Sequence, residues 1–179
     1  MKKTLLASIV LLFSAFCAKA QMTQGDFNFG AGVNLGLPTG TFGTGWSFGI
    51  GAQVQGEYAL TDQISGVGTI GYTSFFGKTM SYPDGFGGTV SAKVPSIGHI
   101  PILVGARFYP AQQFFVGVQG GLGLFTGSGS STSGFEYRPQ IGYNADQFQV
   151  ILSYDGTGVT GGTYSFVGIT GIYKFGGGK

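Results

Sequence analysis

The chain has 179 residues, with nine Lys or Arg, seven Asp or Glu, 36 Gly, 17 Phe and nine Tyr. Only 9% of residues are charged and the bases are scattered, which excludes a nucleic-acid binder, since that requires clustered Lys and Arg. Abundant glycine does not mean disorder here, because disordered chains are poor in the aromatic and β-branched residues that this one carries in plenty.

Residues 1–20 have the form of a secretory leader: Lys2 and Lys3 start it, Leu5 to Phe16 are apolar, and Ala18-Lys19-Ala20 is a small-x-small cleavage site. The apolar run is too short for a transmembrane helix, which needs about 20 apolar residues. Cleavage leaves residues 21–179 as a single expected domain. Loss of Lys2, Lys3 and Lys19 leaves six bases against seven acids, a balance of −1. The sole cysteine, Cys17, leaves as well, so neither a disulfide frame nor a thiolate metal site is expected. A lipid anchor on Cys17 would need a small residue before it, where Phe16 stands.

Eight segments then alternate apolar residues with polar residues or glycine, the period of two that sorts side chains to opposite faces of a strand. From Asp26 to Leu37, Phe27, Phe29, Ala31, Val33, Leu35 and Leu37 share one face. Ser47 to Tyr58 opposes Phe48, Ile50, Ala52, Val54 and Tyr58 to Gln53, Gln55 and Glu57. In Ile64 to Phe76 the apolar face holds Ile64, Ile70, Tyr72 and Phe76, with Val67 and Phe75 opposite. Ser96 to Tyr109 places Ile100, Ile102, Val104, Ala106 and Phe108 outward. The fifth strand alternates Phe114, Val116, Val118, Leu122 and Leu124 with Gly117, Gln119, Gly121 and Gly123. The sixth sets Phe135, Tyr137, Ile141 and Tyr143 against Glu136, Arg138, Gln140 and Asn144, the seventh carries Phe148, Val150, Leu152 and Tyr154, and the eighth ends at Phe175.

Short connections at Thr61–Gln63, Pro110–Gln113 and Ala145–Gln147 alternate with longer Gly/Ser/Thr-rich ones at 38–46, 77–95, 127–134 and 156–162. Outer-membrane barrels keep short turns in the periplasm and long loops outside, so both termini are expected in the periplasm. Aromatic residues form belts at both membrane interfaces of such barrels. The periplasmic belt is expected to hold Phe27, Phe29, Tyr58, Phe108, Phe114, Tyr143, Phe148, Tyr173 and Phe175. Trp46, Phe48, Tyr72, Phe76, Phe135, Tyr137 and Tyr154 make the outer belt. The expected fold is therefore all-β, an eight-stranded antiparallel up-and-down transmembrane β-barrel in the outer membrane of a Gram-negative envelope.

In this pattern the mature chain resembles the small eight-stranded outer-membrane barrels of the OmpA/OmpX type, the outer-membrane protein β-barrel domain family. The resemblance rests on pattern along the whole mature chain, without an invariant motif. It implies that the terminal aromatics Tyr173 and Phe175 are the signal read by the barrel-assembly machinery. Gly176 to Lys179 after the last aromatic, and Thr170 where the family signal tends to have glycine, depart from that pattern. The implied partners are outer-membrane lipids, the assembly machinery and an extracellular ligand held by the four loops.

An eight-stranded barrel is just wide enough to be filled by side chains, so the interior is expected to be plugged. The inward charges Glu57, Arg107, Glu136, Arg138, Asp155 and Lys174 must then be paired. Symmetric pairing about residues 145–147 would set Glu136 opposite Asp155 with Arg138 in reach of both, and Glu57 and Arg107 fall at similar heights. A structural, envelope-integrity or adhesin-like role, without enzymatic activity or cofactor, follows from this reading. A narrow solute pore is the alternative, then a lipid-modifying enzyme, then a soluble secreted β-sandwich. The enzyme would rest on His99 with Ser96 and Asp84 nearby, although a lone interfacial histidine is the simpler account. Gly66-Val67-Gly68-Thr69-Ile70-Gly71 matches a dinucleotide-binding fingerprint in letters only, since it lies within a strand with no helix to follow.

Overall fold

A computed structural model describes residues 23–83, 88–111, 113–127 and 129–175, and the expected leader lies outside them. The alternating segments form β1 (Phe27–Thr39), β2 (Trp46–Ala59), β3 (Ile64–Gly77), β6 (Ile97–Ala111), β7 (Phe114–Gly127), β8 (Ser130–Asn144), β9 (Phe148–Val159) and β10 (Gly162–Phe175). A short helix, α1 (Phe42–Gly45), follows β1, while β4 (Thr79–Pro83) and β5 (Thr89–Lys93) lie between β3 and β6. Each of the eight long strands pairs antiparallel with its neighbours in sequence, and β10 returns to β1 with Val33 opposite Gly171, so the sheet closes into an up-and-down barrel. Closure leaves no open edge on the barrel strands, and the ladder is made within the wall, interrupted opposite Pro101 and Pro139, which have no N–H to donate.

The outward face is apolar. Val33 and Val104, midway along β1 and β6, are 63% and 70% exposed, and Val118, Ile141 and Ile169 are exposed around the same waist. The third strand faces as its alternation suggests: Ile64, Ile70, Tyr72 and Phe76 are exposed, and Val67 and Phe75 are buried. At the short-turn end Phe114 meets Tyr143 edge-on at 5.2 Å, and Tyr173 meets both Phe148 and Phe175 at 5.2 Å. At the other end Phe48 packs on Phe76, and the ring of Tyr137 lies over Gly156, its cross-strand partner.

The loops depart from expectation. Of the segment 127–134, residues 130–134 belong to β8 and pair with Gly123–Gly127, leaving a two-residue connection with Gly129 at φ 84°. Likewise β9 runs to Val159 and β10 begins at Gly162, with Gly161 at φ 92° between them. Ladder hydrogen bonds use backbone groups, so serine and glycine do not end a strand; in these two connections the chain turns where Gly129 and Gly161 take the left-handed conformation. The one long excursion is 78–96, and it contains the β4–β5 hairpin, which pairs with nothing else among the described residues. Barrel strands of 12 to 15 residues exceed the roughly 9–11 that span a bilayer, so the wall extends past the hydrocarbon.

Two apolar clusters lie inside the barrel. Near the hairpin end Phe42, Phe75, Phe125 and Phe166 are buried, with Trp46, Ile97 and Tyr164 packed against them. Near the short-turn end Tyr109, Phe115, Ile151 and Ile172 form the second. Inward glycines make space for these rings, since a Cβ at Gly36 or Gly49 would run into Phe75, and one at Gly142 into Phe115. Trp46 is thus corrected from the outer belt to the interior seal: its indole turns inward onto Phe42, 5.0 Å between rings, and its Nε1 donates to the Pro95 carbonyl at 3.2 Å.

Replacing Val104 with Lys places a charge on the lipid face at mid-height. We expect it to lower unfolding stability in lipid vesicles by about 2–4 kcal/mol. Denaturant titration of the reconstituted protein measures this, with the inward change Thr69→Ser as a control.

Candidate functional site

Inward-facing polar side chains occupy the lumen between the two apolar clusters and divide into two charged groups. Alternation along β2 and β6 brings Glu57 and Arg107 to the inner wall near the short turns, on either side of β3. Arg107 Nη1 donates to Glu57 Oε2 at 2.6 Å and to Gln149 Oε1 at 3.1 Å, while Nη2 reaches Gln55 Oε1 at 3.1 Å and Gln140 Oε1 at 3.4 Å. Glu57 Oε1 accepts from the hydroxyls of Ser65 and Tyr109. The guanidinium carbon lies 4.5 Å from the Phe115 ring centre, which joins this group to the apolar cluster below it. Planar fork geometry lets one Arg side chain tie β6 to β2, β8 and β9 at once.

The second group sits towards the hairpin end. Arg138 donates through Nε to Asp155 Oδ1 and through Nη2 to Glu136 Oε1 at 3.2 Å. Asp155 Oδ2 also accepts from Ser153 Oγ at 2.7 Å. Glu136 Oε2 lies 2.7 Å from His99 Nε2 and accepts from Thr157 Oγ1 at 3.3 Å. Two carboxylates held together in a dry site repel each other, and Arg138 between them offsets this. The register of β8 on β9 sets Glu136 opposite Thr157, so the expected Glu136–Asp155 pairing is two residues out, although Arg138 still reaches both. Turn geometry causes the offset: Ala145 N donates to Phe148 O and Asn144 pairs with Gln149, placing the centre of the hairpin between Asp146 and Gln147.

His99 is corrected from an interfacial position to this interior group, fully buried and stacked on Phe125 at 4.5 Å. Ser96 is exposed, so the two do not form the nucleophile and base of an acyl-transfer site, and Asp84 lies outside the described residues. Lys174, half-buried near the short turns, donates to Asn144 Oδ1 at 2.8 Å, which also accepts from Gln149 Nε2 at 3.4 Å, so it meets the Arg107 group through these two amides and touches no carboxylate directly. Between the groups, Asn34 donates to Thr73 Oγ1 at 2.6 Å and Gln119 to Thr69 Oγ1 at 2.9 Å. Alternation alone places His99 inward, because Ile100 and Ile102 point out; the same rule identifies Phe125 and Phe166, which the expected polar lumen omitted. Gly66, Gly68 and Gly71 lie within β3, so the glycine fingerprint has no phosphate-binding turn. Among the described residues no group of three or more His, Cys, Asp or Glu side chains is arranged to hold a metal ion.

Arg138→Met leaves two carboxylates without their cation, and a loss of about 3–5 kcal/mol in unfolding stability is expected. Arg138→Met combined with Glu136→Gln and Asp155→Asn removes the stranded charges and recovers much of the loss. Denaturant unfolding of the folded band, resolved by heat-modifiable gel migration, compares the two.

No family model matches the chain, and no curated protein matches it in sequence. Solved structures do. Ail, the attachment invasion locus protein of Yersinia pestis, superposes with a TM-score of 0.57 at 13% identity over 86% of this chain and 100% of that one. OprG of Pseudomonas aeruginosa gives 0.50 at 12% identity over 87% and 98%, and the N-terminal barrel domain of OprF from the same organism gives 0.50 at 12% over 86% and 100%. Ail has also been solved in complex with the heparin analogue sucrose octasulfate. Strand number, closure and direction agree with this likeness, and the fold is that of the small eight-stranded outer-membrane β-barrels of the OmpA/OmpX type.

Proposed function

We propose that the protein is an integral outer-membrane barrel with a sealed interior that serves as a rigid mount for the β4–β5 hairpin, in a structural and surface-binding role. The observation that carries this reading is the filled lumen. Buried side chains succeed one another from Phe42 at the hairpin end, through His99, Gln119 and Arg107, to Phe115 and Ile172 near the short turns. A solute path would have to break both charged groups and part both apolar clusters. The hairpin, by contrast, offers contact surface on two sides: Met80, Tyr82, Val90 and Ala92 share one face, and Thr79, Ser81, Ser91 and Lys93 the other. Tyr82 and Val90 are exposed, and a rigid scaffold bearing one projecting segment is a usual arrangement for recognition. Lys78 and Lys93 are the bases among its described residues, so a polyanion of the kind bound by Ail has little to hold here.

In this reading residues 1–20 are removed on export, leaving 21–179 as one domain, and the short turns and both termini lie in the periplasm. The hairpin and the two-residue connections then face outward from the cell. Tyr173 and Phe175, both exposed on the final strand, serve as the signal for the assembly machinery, and the exterior belts seat the barrel among outer-membrane lipids. No catalytic role is assigned, because the imidazole that would act as base is buried against Glu136.

Two measurements test the reading. The purified protein is expected to leave planar bilayers electrically silent, and deletion of 79–93 is expected to abolish adherence of intact cells to surfaces while heat-modifiable migration persists. Steady single-channel steps would favour a pore, and undiminished adherence would remove the binding role from the hairpin.

A further inference from the structure

The chain between β1 and β2 turns back into the barrel mouth. Gly40, at φ 56°, reverses the backbone in a conformation that side-chain-bearing residues rarely adopt, and α1 follows at once. Phe42 at its start is completely buried. Its ring stacks on Tyr164 at 4.9 Å, meets Phe75 and Phe125 edge-on at 5.0 and 5.7 Å, and lies 5.0 Å from Trp46. Directly beneath, Phe75, Phe125 and Phe166 cover His99 and so shield the group formed by Glu136, Arg138 and Asp155 from outside water.

Both ends of the long excursion are tied to this loop. At the start of the hairpin, the Lys78 backbone N–H donates to the Gly45 carbonyl at 2.9 Å, and Lys78 Nζ donates to the Gly43 carbonyl at 2.6 Å. At its end, the Pro95 carbonyl accepts from Trp46 Nε1. The two ends are themselves held together, since Val94 N–H donates to the Lys78 carbonyl at 2.9 Å. The loop that seals the mouth is therefore fastened to the base of the hairpin that projects from it. These bonds lie at the exposed rim, where water competes for each donor and acceptor, so the fastening holds the loop without locking it.

We propose that Phe42 is a releasable cork, that Lys78 is its latch, and that displacement of the β4–β5 hairpin loosens the latch and admits water to the buried charged group. This inference goes beyond the surface-binding role and does not require a ligand on the hairpin, only that the hairpin base and the loop move together.

Trp46 is the only tryptophan in the chain and packs against Phe42, so its fluorescence reports on the cork's seat together with its own bond to Pro95. Acrylamide quenching is to be measured on the full mature protein in lipid nanodiscs. Phe42→Ala, which empties the seat, supplies the upper reference. Lys78→Met keeps the aliphatic stem and the backbone bond but removes the Nζ bond, and should raise the accessible fraction by about fivefold, the change that one net hydrogen bond makes in an equilibrium. A protein in which 79–93 is replaced by a short Gly/Ser linker should behave as Lys78→Met does. Heat-modifiable migration confirms that each barrel stays closed. Wild-type quenching in Lys78→Met, alongside raised quenching in Phe42→Ala, would overturn the latch. Wild-type quenching in the hairpin replacement would overturn the coupling, and wild-type quenching in Phe42→Ala would overturn the cork.

Discussion

Closure of the ladder between β1 and β10 is the constraint on which the rest depends. An open sheet of this composition has no stable place in hydrocarbon, because each unpaired backbone group at its edges costs several kcal/mol there, and none in water, because its outer face is covered with Val, Ile, Leu and Phe. Pairing Phe29 through Thr39 with Ser165 through Phe175 removes both edges at once. It also fixes which residues share the interior. Once the cylinder shuts, eleven positions on β1 are committed in register, and a one-residue slip would turn Asn34 and Gly32 to the outside and Val33 and Leu35 to the inside.

A closed cylinder of eight strands must still fill its own bore, and this one does so in layers. Large rings and inward glycines occupy the ends, where Phe75 takes the space left by Gly36 and Gly49. Charges occupy the middle, where each finds an opposite charge or a set of amide and hydroxyl partners. Arg107 illustrates why arginine suits such a place, since its fork reaches a carboxylate and three glutamine carbonyls without leaving the wall. The aromatic seal next to His99 and the apolar cluster below Arg107 keep water from competing for those bonds. Polar network and apolar clusters thus support each other, and the mouth is the one place among the described residues where a loop, instead of a strand, supplies the seal.

Much of this is legible in the period-two alternation. It locates all eight barrel strands and turns Gln53, Gln55, Glu57, Arg107 and Gln119 inward, and the approach of Arg138 to both carboxylates follows from the hairpin at 145–147. The rest needs information that alternation does not carry. Gly/Ser runs look like loops because their side chains are those of loops, yet Ser130–Gly134 pairs because pairing uses the backbone. The two-residue offset of Glu136 depends on how the turn closes, and residue identity leaves that open. Phe42 lies where the strand pattern has stopped, and Trp46, although it opens β2, lies across a register irregularity between Trp46 and Gly49 that breaks the parity by which Phe48 and Ile50 point outward. Phe125 and Phe166 escape for another reason: a lumen expected to be polar leaves no room for rings, although their parity along β7 and β10 already points them inward.

The most direct test is a lipid-to-protein contact map by NMR in nanodiscs, with cross-strand amide contacts observed in the same sample. Contacts between acyl-chain methylenes and Val33, Val104, Val118 and Ile141, none to Thr69, Gln119 or Arg107, and a direct contact between the backbones of Val33 and Gly171 are the expected result. Protein that stays monodisperse in plain buffer, with those same valines shielded from lipid and from water and no contact between Val33 and Gly171, would contradict the closed membrane barrel.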